Sequence, residues 1–443
     1  MHYNWHKIET NYTDVLSDFT VNTNYEDIPP EVIERAKMIM LQTVGVSLAA
    51  KDVPGTQKAI KMALAANGGA GGTTTGWVSG DKLSPVNAAF LAGSLSDMLD
   101  WEDTSWTGHP AAGIVPCAWV MAEHLKMSGK DLLTAIVLGY EVYQRIACAV
   151  QPSLEQQAQK GWGLTSWQIF GCLIPAVKLM GLDANAVNKA IGLGTVCSTI
   201  PTCLHEFTMS DFYHYEHGLR ARDGILIAEL VQKGVHNLMD GLDDPTAYAN
   251  LMTDTYEPEW YTKDLGTRWL TMTTLLKHWP ANMWVQTPTE LAHDIVFGNN
   301  IKLEDIKEII IDPPRMSRIW DTRSISRPTA SPTRTRSNSR MIRLNGGFLR
   351  IPTKLSLTGR PLILCSASGM GDAGLHRWAK CRYSPEWYSA RTVARNSTRF
   401  GAEIFRKRNT WYAPPTGRLR AAAVPTRYAT RFLSGCSLTE SRL

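Results

Sequence analysis

From Pro30 to Val235 the chain repeats one pattern, apolar residues three and four apart, interrupted by Gly, Ser-Gly or Pro. In "PEVIERAKMIMLQTVGVSLAA" the apolar set is Val32, Ile33, Ala36, Ile39, Met40 and Val44, with Pro30 suited to a first helical turn. The same periodicity returns in segments beginning at Asn87, Gly113, Lys130, Asn185 and Arg220. Several are apolar almost all round, which only helices at the centre of a large bundle can afford. The expected class is therefore mainly α. With 443 residues and 44% hydrophobic residues, the core can be large and the chain should form two domains, or one large and one small.

Strand patterning first becomes visible at "KEIIIDPP", Lys307 to Pro314, a β-branched run that suggests an α+β unit opening near residue 275. Beyond Pro314 the composition changes. Residues 1–314 hold about 21 Lys and Arg against about 36 Asp and Glu, whereas 315–443 hold about 25 against about 5. In this last stretch Arg, Ser, Thr and Pro dominate and neither helical nor strand periodicity persists. It reads either as a basic tail that binds nucleic acid or another polyanion, or as the product of a shifted reading frame. Isolated Trp320, Trp378, Trp387 and Trp411 and unpatterned cysteines favour the shifted frame, and with it no nucleic-acid partner. The expected organisation is 1–274 all-helical, 275–314 the start of the α+β unit, and 315–443 disordered or frame-shifted.

The apolar runs, "LLTAIVLGY" among them, fall short of the roughly 18 residues of a membrane span, and the N-terminus has no apolar signal region. The eight cysteines are scattered without CxxC pairs, which fits a reducing compartment and a cytoplasmic protein.

Chemistry concentrates in "LDWEDTSWTGHPA", Leu99 to Ala111, where Asp100, Glu102 and Asp103 precede Thr104 and His109. A carboxylate and an imidazole on a loop fixed at both ends by buried helices can move a proton next to a substrate carboxylate. The plainer reading is that Asp103 or Thr104 caps the next helix and His109 is a satisfied loop histidine. A second cluster, "HYEHGLRARDG", offers His214 and His217 three apart, but in none of the zinc-protease spacings, so no metal is expected. Here "HGLRARDG" reads as a helix start carrying His217, Arg220 and Arg222. Their guanidinium forks suit substrate carboxylates, and equally suit a pairing with Asp223 or Glu229. "NGGAGGTTTGW" lacks both the Lys-Ser/Thr of a phosphate loop and the GxGxxG pattern, so no nucleotide cofactor is implied. "KHWPANMW" places Lys277 with aromatic residues at the expected domain junction, where clefts form.

The order of these segments over residues 25–312 resembles the MmgE/PrpD family, which includes 2-methylcitrate dehydratases, cis-aconitate decarboxylases and iminodisuccinate epimerases. "PVNAAFLAGSLSDMLDWEDTSWTGHPAAGIVPCAWVMAE" carries most of the resemblance, supported by "LLTAIVLGYEV", "FGCLIPAVKLMGLDANAVNKAIGLG", "HGLRARDGILIAEL" and "KHWPAN". The resemblance implies a large all-helical domain with a smaller α+β lid that this chain truncates or scrambles. It also implies a homodimer, no metal or other cofactor, and a cleft for small di- and tricarboxylates. Asp100, Thr104 and His109 match the family's active-site loop. Trp162 stands where the family usually has a histidine, Tyr213 at or near its substrate-binding lysine, and Gln286 at a further histidine.

Exchanging histidine and lysine for tryptophan and tyrosine removes positive charge and adds apolar surface, which suits a substrate with an alkyl arm. The expected activity is therefore dehydration of a 2-methylcitrate-like or 2-alkylcitrate substrate, of the kind fungal secondary metabolism uses for maleic-anhydride precursors. Asp100, Thr104 and His109 would be catalytic, and Arg220, Arg222, His217, Trp162, Tyr213 and Lys277 would hold substrate. Cis-aconitate-type decarboxylation, epimerisation, an inactive remnant and a polyanion-binding protein remain as alternatives.

Overall fold

Helix boundaries in the first unit follow local chemistry closely. The computed structural model describes residues 10–153, 155, 156, 163, 165–198, 210–235, 239–244, 248–302 and 306–310, with the backbone of short strands between 339 and 368. Helix α1 (Tyr12–Asn22) is followed by α2 (Pro30–Ala49), where Pro30 opens the first turn and Val32, Ile33, Ala36 and Ile39 are buried. Met40 and Val44 are only half-buried, and Thr43 and Ser47 take up the inner face instead. They can do so because each hydroxyl donates to the carbonyl four residues back. Helix α3 (Pro54–Asn67) ends on Gly68 at φ 62°, a left-handed cap that costs glycine little.

Helix α4 (Pro85–Asp97) starts from Ser84, whose hydroxyl accepts from the Asn87 amide, and α6 (Gly129–Val150) starts from a Ser128–Asp131 capping box. Between them runs α5 (Ala111–Leu125). Helices α5, α6 and α7 (Gln168–Leu179) are buried along most of their length and form the centre of the core. Helix α6 is long and apolar enough to cross a membrane, longer than the apolar run within it suggests, but nearly all of it is buried inside the fold. Helix α8 (Ala184–Cys197) is capped by Asp183.

Helix α9 (Tyr213–Gln232) begins a full turn before the expected start at "HGLRARDG". No side chain caps it, so the sequence carried no start signal there. It packs directly on α4. A Cβ added at Gly93 would lie 2.8 Å from the Gly218 Cα, and one at Gly218 would run into Phe90 O and Ser94 Oγ. Backbone thus meets backbone, and this close crossing brings the first turn of α9 over the end of α4.

The chain divides into two units at Met283 and Trp284, so residues 275–283, expected to open the second domain, belong to the helical one. Just upstream, buried Glu141 ties the chain to α6. Its carboxylate accepts from the Leu270 and Thr271 amides, while Arg145 donates to the carbonyls of Lys263 and Arg268, which pins residues 263–271 against α6.

After the short α10 (Tyr248–Met252) of the helical unit, α11 (Met283–Gly298) begins at the boundary and precedes strand Ile306–Ile310 of the second unit. That strand pairs antiparallel with Ser339–Leu344, which pairs in turn with Gly347–Leu355. Strand structure therefore continues into a stretch whose sequence was read as lacking strand periodicity. Leu344 pairs with Gly347, and the sequence between them, Asn345-Gly346, is a strong hairpin signal that the sequence reading passed over. The remainder of 315–443, read as basic tail or shifted frame, lies outside the described residues, as does Trp162.

Candidate active site

The loop between α4 and α5 closes into a small, buried, polar structure. Asp100 adopts φ 52°, a left-handed conformation that aspartate tolerates better than most residues. Thr104 makes a two-way backbone bridge with Leu275, its amide 2.8 Å from the Leu275 carbonyl and its carbonyl 2.7 Å from the Leu275 amide. The Thr107 carbonyl accepts from Tyr143 Oη and Trp167 Nε1, both at 2.7 Å. These contacts fix the loop from both sides.

Asp103 is the cap anticipated for the next helix. Its Oδ1 accepts from the Ala111 amide at 2.9 Å, and its Oδ2 accepts from Tyr140 Oη at 2.6 Å. Burial outweighs both bonds and pushes its carboxyl up to about 7. Thr104 has no such capping role; its hydroxyl lies 3.5 Å from Met283 Sδ.

The bridge to Leu275 delivers Lys277 into the loop. Its Nζ donates to Asp100 Oδ1 at 2.7 Å, to the Asp100 carbonyl at 3.1 Å and to Glu102 Oε1, and its side chain is fully buried. The Trp101 indole and the Gln42 amide both donate to the Lys277 carbonyl. Burial would lower the ammonium pKa, but the two carboxylates reverse this and hold it well above the ordinary lysine value. Glu102 shows the converse. Burial alone would raise it, and Lys277 and His109 together hold it well below the ordinary value. For Asp100 burial prevails over Lys277, and the pKa is raised. Asp97, Asp100 and Glu102 bring carboxylate oxygens within 4.8 Å of one another, with the Lys277 ammonium bound to two of them.

His109 completes the arrangement. Its Nδ1 lies 2.9 Å from the Asp103 carbonyl and 3.0 Å from Glu102 Oε1. Both partners are acceptors, so Nδ1 carries the hydrogen, and Nε2 is left to take up or release a proton. Burial and Lys277 depress its pKa, but the Glu102 charge and the hydrogen bonds to Glu102 and Asp103 outweigh them, and the net shift is upward.

From α9, His217 faces His109 edge to face with ring centres 6.3 Å apart, and neither of its ring nitrogens has a hydrogen-bond partner among the described residues. His214, one turn earlier, donates from Nδ1 to the Asp97 carbonyl at 3.0 Å and to Asp97 Oδ2 at 3.2 Å. Tyr213 is buried beside it.

The other expected substrate groups lie elsewhere on α9. Arg220 donates to the Cys197 carbonyl and to Asp223 Oδ2, both at 3.0 Å, and Arg222 Nε reaches Asp223 Oδ1 at 2.8 Å. Both forks are thus engaged on Asp223, the pairing weighed against a carboxylate clamp. Sequence reasoning placed Asp100, Thr104, His109 and His217 in the region that the structure brings together. It placed Lys277 at an interdomain cleft, whereas Lys277 is buried in the loop of the helical unit, because the Leu275 bridge carries it there. Asp97 was missed; its signal was a lone acid closing an apolar, small-residue helix. Glu102 was noted in the loop without a role.

The model of the MmgE/PrpD N-terminal domain matches residues 14–261. The chain is 26% identical over 283 residues to a cis-aconitate decarboxylase-like protein, oryM, of Aspergillus oryzae, covering 59% of this chain and 57% of that protein. It is 24% identical over 301 residues to a cis-aconitate decarboxylase of Aspergillus terreus, covering 64% of this chain and 60% of that protein. The matches thus span less than two thirds of the length of these curated relatives. The matched model covers more than half of the chain and takes in the capped helices, the loop from Asp97 to His109 and the α4–α9 crossing, so this chain belongs to the MmgE/PrpD family.

Proposed function

We propose that this protein is a lyase acting on a small polycarboxylate, with His109 moving the proton at the carbon next to a substrate carboxylate. The observation that carries the reading is the anchoring of His109 Nδ1 by Glu102 and the Asp103 carbonyl, which leaves Nε2 as its proton-transfer atom. Glu102 stabilises the imidazolium formed when Nε2 accepts a proton, and Lys277 keeps Glu102 ionised. Dehydration of a 2-alkylcitrate follows if Nε2 removes the proton and a hydroxyl departs. The loss of basic residues at Trp162 and Tyr213 supports a substrate with an apolar arm.

A second reading, cis-aconitate-type decarboxylation, is favoured by the names of the relatives. There Nε2 returns a proton to the carbanion left by carbon dioxide. A homodimer belongs to the same proposal, and exposed Met38, Leu41 and Leu48 on α2 support it.

The test is to incubate the full chain in deuterium oxide with cis-aconitate, 2-methylcitrate and longer 2-alkylcitrates and follow products by NMR. Turnover of the longer 2-alkylcitrates, abolished in His109→Gln, is expected. Turnover of 2-methylcitrate with rejection of longer homologues would discard the alkyl-arm reading, and deuterated product from cis-aconitate alone would select the decarboxylase.

A further inference from the structure

Two carboxyl oxygens at the centre of the loop cluster are orphaned. Asp97 Oδ1 and Glu102 Oε2 are buried without a hydrogen-bond partner among the described residues, while the other oxygen of each group is engaged. Asp97 Oδ2 accepts from His214, and Glu102 Oε1 accepts from Lys277 and His109. Two ionised carboxylates cannot satisfy each other, because neither has a hydrogen to donate. The two groups bring carboxylate oxygens within 4.8 Å of each other, so a single proton on one of them would let both orphans pair in one O–H···O bond.

We propose that Asp97 is a buried carboxylic acid which donates its proton from Oδ1 to Glu102 Oε2, and that this proton exchanges with solvent through His214, the carboxyl turning to hand it to Nδ1 of the Nε2–H tautomer while Nε2 gives its hydrogen to water. Asp97 is then a positioning residue that sets the base strength of His109 through Glu102, a role that bears on turnover only if His109 is the proton-transfer group proposed above.

Charge arithmetic points to the same assignment. Among the described residues, Asp97, Asp100 and Glu102 face Lys277 alone as a permanent cation, and three buried carboxylates against one ammonium leave two uncompensated charges. A proton on Asp97 removes one, and the proton that His109 gains removes the other. The partition between the two acids follows from their neighbours. Glu102 has Lys277 and His109 on it, while among the described residues Asp97 has His214 alone, so Glu102 is the better anion. Burial first, and the Glu102 charge second, raise Asp97 well above the ordinary carboxylate range, in the sense the geometry requires.

Other titratable groups among the described residues stand around the pair. Helix α9 contributes His214, His217 and buried Glu216, and the loop contributes Asp103 with its Tyr140 bond. Lys58 pairs with Asp211 near His214. The side chain of His214 is 25% exposed whereas that of Asp97 is buried, so His214 joins the pair to water.

The experiment uses the full chain carrying 13C-labelled aspartate or 15N-labelled histidine and requires no substrate. Infrared spectra at pH 8 should contain a protonated-carboxyl C=O band that disappears in Asp97→Asn. Because Asn also donates to Glu102, the His109 titration midpoint, followed by NMR and assigned with His109→Gln, should stay within about 0.3 units. An ionised Asp97 predicts no such band and a midpoint lower by about one unit or more, since a negative charge would be lost; either result overturns the proposal. Should Asp97→Asn fail to fold, His214→Gln decides. It keeps a donor to Asp97 but cannot relay a proton, so hydrogen–deuterium exchange of the acid band should slow by about tenfold or more, and unchanged exchange overturns the proposal. Failure of every polycarboxylate to turn over would reject the proposed function and leave these spectra able to decide on Asp97.

Discussion

His109 and His217 lie edge to face at 6.3 Å, both buried, and their proton affinities diverge. His109 is held by Glu102 and has its pKa raised despite burial. His217 has no hydrogen-bond partner among the described residues, and burial, followed by repulsion from His109, lowers it to about 3. Burial is common to both rings; the carboxylate within reach is what separates them. The loop between α4 and α5 thus supplies His109 with a carboxylate, whereas His217, on the turn of α9 set against it, is given none among its described hydrogen-bond partners. A buried imidazole whose pKa is raised thus stands next to one that burial keeps neutral.

The largest expected effect comes from removing the charge on which that construction depends. Lys277→Met leaves Glu102 buried without its ammonium, and urea unfolding should show a loss of about 3–5 kcal/mol. The double variant Lys277→Met, Glu102→Gln should recover part of it, and additive losses would mean the two groups are not coupled. Next, Glu102→Gln should turn His109 toward the behaviour of His217. Its midpoint, read by histidine NMR, should fall by roughly one unit or more.

A close steric effect follows at the crossing that aligns the two rings. Gly218→Ala pushes α9 from α4, and should lower stability by about 1–3 kcal/mol and loosen His214 from Asp97.

His217 also gives an acid signature. With a folded value of about 3 against 6.5 in the unfolded chain, the unfolded state binds more protons between those values, so stability falls as pH drops from 6.5 toward 3. Asp103, raised to about 7, contributes in the opposite sense, its share being lost as pH rises from about 4 to 7. His217→Leu should therefore flatten the acid limb by about 1.4 kcal/mol per pH unit in unfolding measurements at successive pH. The smallest effect belongs to Arg222→Ala, which should change stability by less than about 1 kcal/mol because its pairing with Asp223 is 40% exposed on the arginine side. A large loss of turnover in that variant would restore the carboxylate-clamp reading.

What the sequence made legible was local. Helices α2, α4, α6 and α8 follow from a proline, a capping serine or aspartate and the spacing of their apolar residues, all within a few positions of one another. The loop was legible because its acids and His109 are contiguous. Lys277 with Glu102, and His214 with Asp97, meet across 175 and 117 residues, and no local pattern encodes such a meeting. Helix α9 was displaced by a turn because nothing caps it, and the Gly93–Gly218 approach that places it over Asp97 reads in sequence as two ordinary helix-weakening glycines.

The bridge between Thr104 and Leu275 also sets an order of assembly. Helices α4 and α5 leave the ribosome long before residue 277 does, and until then Asp97 at the end of α4 and Asp100 and Glu102 in the loop after it have no Lys277 ammonium among them. During that interval water must solvate those acids, so this stretch stays open while the surrounding helices gather. The polar centre of the helical unit is therefore completed late, and a chain interrupted anywhere before Lys277 would retain its apolar core segments but expose three like charges where the finished protein is closed.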